Sequence, residues 1–159
     1  MGNDKEYLIS TDRLLLDVDV IHKFLNACYW SPGITRSRVE RGIANALCFG
    51  VYDATKMRPA VSGQAGPGAP AQVGFARVIT DFATFGYIAD VFVLESHRGR
   101  GLSRRLMRAI VEHPDLRGLR RLCLMTRDAH GLYAKFGFAP MPDPSRYMEV
   151  LDRESYKQD

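Results

Sequence analysis

Apolar positions along the chain recur with two periods. Val20, Ile21, Phe24 and Leu25 follow one another at helical spacing behind Asp17 and Asp19, either of which can cap a helix running to about Ala27. Thr35 can cap a second helix to about Ala46, in which Arg36, Arg38, Glu40 and Arg41 mark an exposed face. Leu102, Leu106, Ala109 and Ile110 make an apolar stripe between Gly101 and His113. Arg104, Arg105 and Arg108 fall elsewhere on that helix, and Pro114 ends it. Asp128 can cap a short helix over 129–136, with Gly137 as its C-terminal stop.

The other apolar runs read as strands: 7–16 around a polar Ser-Thr-Asp-Arg break, 47–52, 73–80, 87–94, 121–126 and 147–151. Residues 81–86 join two of these as a hairpin, and Trp30-Ser31-Pro32-Gly33 is a turn. Glycine and proline crowd residues 61–72, which cannot continue a strand or helix. They read as a long flexible hairpin loop inside one domain, with a lid over a site as the other reading. The order β-α-α-β-β-β-α-β-α-β predicts a mixed α/β or α+β domain spanning residues 1–159.

Composition adds boundaries to this picture. The chain has 159 residues, 46% hydrophobic and 25% charged, which is enough apolar material for one core without staples. Cys28, Cys48 and Cys123 are widely spaced and form no CxxC pair, so they read as reduced thiols and not as a disulfide framework or a zinc site. The polar start and the lack of a long apolar run argue against a secretion signal and a membrane span, and set a cytoplasmic expectation.

Charge is uneven. The net charge is +4, yet the stretch from Arg98 to Arg121 holds eight arginines against Glu112 and Asp115. Such a cluster favours anionic partners, phosphates first. Nucleic acid is disfavoured, because the arginines are not interleaved with aromatics and no known nucleic-acid motif is present.

The glycines inside this cluster carry the chemistry. The apolar run Val91-Phe92-Val93-Leu94 enters Glu95-Ser96-His97-Arg98-Gly99-Arg100-Gly101, and Leu102-Ser103 open a helix. A helix start has unpartnered N–H groups and the positive end of the macrodipole, and glycine lets a ligand approach the backbone. Together they make an anion site suited to a pyrophosphate, with Arg98, Arg100, Arg104 and Arg105 as flanking charge. GxxxxGK[ST] is absent, and the GxG pair lacks the third glycine and acidic partner of a dinucleotide fingerprint.

Here the chain resembles the GCN5-related N-acetyltransferases (GNAT). Arg98-x-x-Gly101-x-Ser103 is similar to their Arg/Gln-x-x-Gly-x-Gly/Ala motif, with Ser as the final small residue. Leu132-Tyr133-Ala134-Lys135-Phe136-Gly137-Phe138 is similar to their Leu-Tyr-x-x-x-Gly-Phe. The resemblance runs from Leu8 to about Leu151. It implies a central, mostly antiparallel mixed sheet of six or seven strands flanked by about four helices. It also implies acetyl-CoA as cosubstrate, no metal, and transfer of the acetyl group to a primary amine of a small molecule or protein by direct attack on the thioester. Phe92 and Val93 would present backbone groups to the pantetheine, and Arg98, Gly99, Arg100, Gly101, Leu102 and Ser103 would hold the pyrophosphate. Tyr133 would serve as general acid. Backbone N–H groups of the fourth strand would stabilise the developing oxyanion.

The base is less defined. Relatives often carry Glu or His where this chain has Tyr87 and Ala89, which leaves Asp90 as the acidic candidate on that strand. Strict alternation puts Asp90 on the Phe92 side unless a bulge intervenes. His130 and Asp81 are lesser candidates, and His97 reads as decoration of the turn. Tyr29 and Trp30, with Ser31, are candidates to contact the acceptor amine. The acceptor is not named by these residues, and the assembly is open between monomer and homodimer. The competing reading is a non-catalytic acetyl-CoA-binding regulatory module, kept open by the missing Glu or His at Tyr87 and Ala89.

Overall fold

The computed structural model describes residues 6–58 and 68–157. Its sheet has five strands in the order β1-β2-β3-β4-β5. They are β1 (Tyr7–Ser10), β2 (Leu47–Met57), β3 (Pro70–Thr80), β4 (Phe85–Val93) and β5 (Arg121–Leu124). Neighbours from β1 to β4 pair antiparallel, and β5 pairs parallel to β4. A parallel neighbour is out of reach of a tight turn, so the chain crosses over through helix α3 (Leu102–Val111). The other helices are α1 (Val18–Ala27), α2 (Arg36–Ala44) and the single turn α4 (His130–Tyr133). The architecture is therefore mixed α+β, with five strands among the described residues where six or seven were expected.

Two expected strands account for the difference. Leu14 and Leu15 fall in a turn of 3-10 helix, Arg13–Leu15, because the Asp12 side chain accepts the Leu14 N–H at 2.9 Å. Arg13 then reaches back to the carbonyls of Ala44 and Ala46 at 3.1 and 2.7 Å. A local side-chain bond has displaced the strand ladder. Residues 147–151 join no strand of the sheet. Pro140, Pro142 and Pro144 lack backbone donors, and a 3-10 turn at Pro144–Arg146 directs the segment away from the sheet.

The loop expected at 61–72 is also revised. Pro70, Ala71 and Gln72 belong to β3, and Pro70 pairs with Met57, so the hairpin arms are longer than their apolar runs. Residues 61–67 lie outside the described residues.

The sheet buries both faces. On one, α3 sets Leu102, Leu106, Met107 and Ile110 against Phe49, Val51, Val78, Ile88 and Val93. On the other, α1 and α2 set Ile21, Leu25, Val39 and Ile43 against Cys48, Phe75 and Phe92. Asp17 caps α1 by accepting the N–H groups of Asp19 and Val20. The same carboxylate meets Arg58 Nε at 2.7 Å, and the Asp17 N–H donates to Gln72 Oε1 at 2.6 Å, a buried polar knot tying α1 to the β2–β3 hairpin.

One irregularity in β4 sets up the site. Ile88 and Val93 share a face although they are an odd number of residues apart. The register explains this: Ala89 pairs with Arg77 and Phe92 with Phe75, so Asp90 and Val91 together face Ala76. This is a β-bulge, and Asp90 sits in it with φ 57°, in the left-handed region. The bulge that strict alternation ignores is present.

Candidate functional site

Two features open the molecule at the end of β4. The first is a split in the sheet. The β4–β5 pairing stops at Ile88 and Leu124, so beyond them the backbone edge of β4 has no strand beside it among the described residues. An extended ligand can lie there as an added strand. The second is the glycine turn. Gly99 and Gly101 have φ of 76° and 75°, a conformation that glycine adopts without strain. Gly101 is the N-cap of α3 and brings no side-chain capping bond, and a helical bond at this end runs from the Arg105 N–H to the Gly101 carbonyl. The N–H groups of Leu102, Ser103 and Arg104 thus face outward at the positive end of the helix.

A hollow of about 170 Å³ sits over this turn, lined by Gly99, Gly101, Leu102, Ser103 and Arg104 together with Arg98. Neither turn glycine has another atom within 4 Å of where a Cβ would stand, so this space is open to a ligand. The residues fit a pyrophosphate. Arg98 also donates from Nε to the Val93 carbonyl at 3.2 Å, fastening the end of β4 to the turn. Arg100 is exposed. Arg105, read as flanking charge, instead donates to the Tyr7 carbonyl at 2.8 Å and serves β1.

His97 is not a decoration. It is buried, and its Nδ1 lies 3.0 Å from the Tyr7 hydroxyl, with the two rings edge to face. Burial pushes its pKa down, with Asp53 opposing the shift. It pins the turn to β1.

A larger cleft of about 870 Å³ runs from the split and meets the turn at Arg98. Tyr133 lines it, and its pKa is raised, chiefly by burial and then by Tyr29 and Asp128 nearby. No hydrogen bond ties its hydroxyl to another described residue, and burial favours the protonated hydroxyl. Asp90 also lines the cleft, held by an ion pair to Arg77 Nε. Phe92 and Val93 send their side chains into the two cores; Phe92 also lines the cleft, and Val93 the hollow over the turn. Tyr29 and Trp30 stand at the opposite wall, both partly exposed, with ring centroids 5.0 Å apart.

The lesser base candidates are elsewhere. Asp81 accepts the Thr84 hydroxyl at 2.6 Å and the N–H groups of Ala83, Thr84 and Phe85 in the β3–β4 turn, which together hold its carboxyl far below the usual range. His130 is exposed, and neither residue lines the cleft. Asp128 caps no helix; the Ala129 N–H is taken by Thr126 Oγ1 at 3.0 Å.

Sequence reading missed part of the cleft. Arg77 was legible in principle, as the one cation within the apolar run 73–79. Arg127 lies over the Tyr29 ring at 3.6 Å, and Glu149, Leu151 and Tyr156 of the tail complete the outer wall. These had no signal, because they depend on where the tail passes. Among the described residues no cluster of His, Cys, Asp and Glu could hold a metal ion, and no helix is long and apolar enough to cross a membrane.

Comparison with known proteins agrees with this geometry. Residues 68–140 match the acetyltransferase (GNAT) domain model. Two relatives, both named as putative acetyltransferases, match most of the chain. Gibberella zeae FG08082 is 34% identical over 141 residues, covering 82% of this chain and 77% of its own. The GNAT-family protein xcc2953 of Xanthomonas campestris pv. campestris has a crystal structure that superposes with a TM-score of 0.81 at 46% identity, covering 96% of this chain and 97% of that one. A more distant structure, described as a predicted acetyltransferase with acetyl-CoA from Clostridium acetobutylicum, shares the fold at a TM-score of 0.58 and 16% identity, covering 95% and 96%. With the glycine turn, the split sheet and these relatives together, the chain belongs to the GNAT family of acetyltransferases.

Proposed function

We propose that this protein transfers an acetyl group from acetyl-CoA to a primary amine of a small molecule or protein, by direct attack of the amine on the thioester. The observation that carries the reading is the single path formed by the glycine turn, the open edge of β4 and Tyr133. The pyrophosphate is held by the backbone of residues 98–103, with Arg98 and Arg100 as charge. The pantetheine lies along the β4 edge at Phe92 and Val93. Acetyl-CoA supplies an activated acyl group, and no metal is needed to activate it.

The protein's own residues then do three things. Backbone N–H groups at the bulge stabilise negative charge developing on the thioester oxygen. Tyr133, kept protonated by burial, gives a proton to the leaving thiolate. Asp90 accepts the amine proton, directly or through water, from a carboxylate whose Oδ2 is held by Arg77. Tyr29 and Trp30 contact the acceptor.

The regulatory-module reading has one observation in its favour: Tyr87 and Ala89 line the cleft on β4 and supply no carboxylate or imidazole. A thiol-release assay with acetyl-CoA and a panel of amines separates the two. Acceptor-dependent release supports transfer; tight acetyl-CoA binding with no release above hydrolysis for any amine overturns it.

A further inference from the structure

The acceptor half of the cleft has a chemistry of its own. It carries a set of apolar and aromatic side chains: Phe24 of α1, Tyr29 and Trp30 just after that helix, Met125 after β5, and Leu151 and Tyr156 from the tail. Phe24 and Trp30 stand 6.0 Å apart, so these rings form one continuous surface with Tyr29. Surfaces of this kind bury rings and alkyl chains well.

The cations of this half are already taken. Arg77 is paired with Asp90. Arg127 is paired with Asp128 at 3.2 Å and lies over the Tyr29 ring. The remaining arginine of the cleft, Arg98, belongs to the glycine turn. A phosphate or carboxylate on the acceptor would therefore have to compete with Asp90 for Arg77, or with Asp128 for the exposed Arg127, or stay unpaired beside rings. The acids are matched in the same way, except for Glu149. Its carboxylate lines the cleft and accepts from the Tyr147 hydroxyl at 3.3 Å, with no ion pair to a described residue. One unmatched acid suits one ammonium group and does not suit a polycation.

We infer that the acceptor is a hydrophobic monoamine, an aryl- or alkyl-substituted primary amine that carries neither phosphate nor carboxylate. The inference rests on the proposed transfer reaction. Its apolar body lies on the Phe24–Tyr29–Trp30 surface, and Glu149 draws in the ammonium form from solution.

Trp30 is the only tryptophan in the chain, so the site reports on itself. The test titrates the CoA-saturated protein with phenethylamine, glucosamine 6-phosphate and spermidine while following Trp30 fluorescence. Thiol release is measured with the same amines and acetyl-CoA. Phenethylamine is expected to bind at least about ten-fold more tightly than the other two. Glu149→Gln is expected to weaken phenethylamine by about two- to five-fold, the effect of one solvent-facing charge, and to leave CoA affinity unchanged. Equal or tighter binding of glucosamine 6-phosphate or spermidine overturns the inference, as does an unchanged phenethylamine affinity in Glu149→Gln. Preferential phenethylamine binding without thiol release upholds the ligand class and overturns the transfer reaction instead.

Discussion

Phe24 of α1 lies flat on Phe92 of β4, ring centroids 3.9 Å apart and planes 9° from parallel. The contact couples the helix that leads into Tyr29 and Trp30 to the strand that carries the bulge. Phe92 is 4% exposed. Phe92→Ala is expected to destabilise the fold by about 3–5 kcal/mol, read from the midpoint of urea unfolding. Phe24→Ala should cost less, because Phe24 is only partly buried against that core. Equal losses for the two would mean that the stack itself, and not burial of Phe92, dominates.

Gly101 tests the turn without removing a charge. Its φ of 75° is costly for any residue with a Cβ, while nothing lies within 4 Å of where the Cβ would sit. Gly101→Ala is therefore expected to lose about 1–2 kcal/mol from backbone strain alone. It should also weaken CoA binding, measured by calorimetry, since relaxation of the turn moves the Leu102 and Ser103 N–H groups. Full CoA affinity in a destabilised variant would place the pyrophosphate elsewhere.

Tyr133→Phe removes one hydroxyl and little packing. CoA affinity should stay within a factor of about two, and kcat should fall by about 10²-fold, the usual size of a lost general acid. An unchanged kcat would take Tyr133 out of the reaction.

Asp90 and Arg77 separate chemistry from architecture. Asp90→Asn should remove the acidic limb of the kcat/KM profile against pH if the carboxylate takes the amine proton. Arg77→Met leaves the mostly buried Asp90 carboxylate without its cation and is expected to cost about 2–4 kcal/mol of stability. A pH profile unaltered in Asp90→Asn would confine Asp90 to holding the bulge.

His97 makes stability depend on pH. Its folded pKa is below the ordinary imidazole value, so below about pH 6.5 the unfolded chain binds more protons than the folded one. Stability should therefore fall as pH drops from 7 toward 5. His97→Gln should flatten that part of the Tm profile, even if it lowers Tm overall by loosening the Tyr7 contact. A variant with the wild-type slope would assign the dependence to other groups.

Much of this protein was legible before its fold. The stripe at Leu102, Leu106 and Ile110 predicted α3, because a helix buries one face every 3.6 residues and that signal is local. Asp17 and Asp19 both marked the start of α1, since a cap needs only its own next three residues, and the structure gives the cap to Asp17. The glycine turn was legible for the same reason: Gly99 and Gly101 are needed by their own backbone angles. What stayed hidden depends on distant partners. Leu14 and Leu15 are apolar enough for a strand, yet Asp12 and the Ala44 and Ala46 carbonyls decide against it. Residues 147–151 are apolar enough for a strand, but apolar content does not say whether an edge is waiting for them.

The sequence by itself determined the α+β class, most of the strands and helices and the glycine turn after β4, through short-range periodicity and backbone preference. Only the tertiary structure decided the cleft. The bulge at Asp90 arises from a register between β3 and β4, and Arg77 finds its carboxylate across that register. Arg127 meets Tyr29, and Glu149 reaches the same cleft, from parts of the chain about a hundred residues away. Such contacts are set by how elements pack, and no local pattern records them.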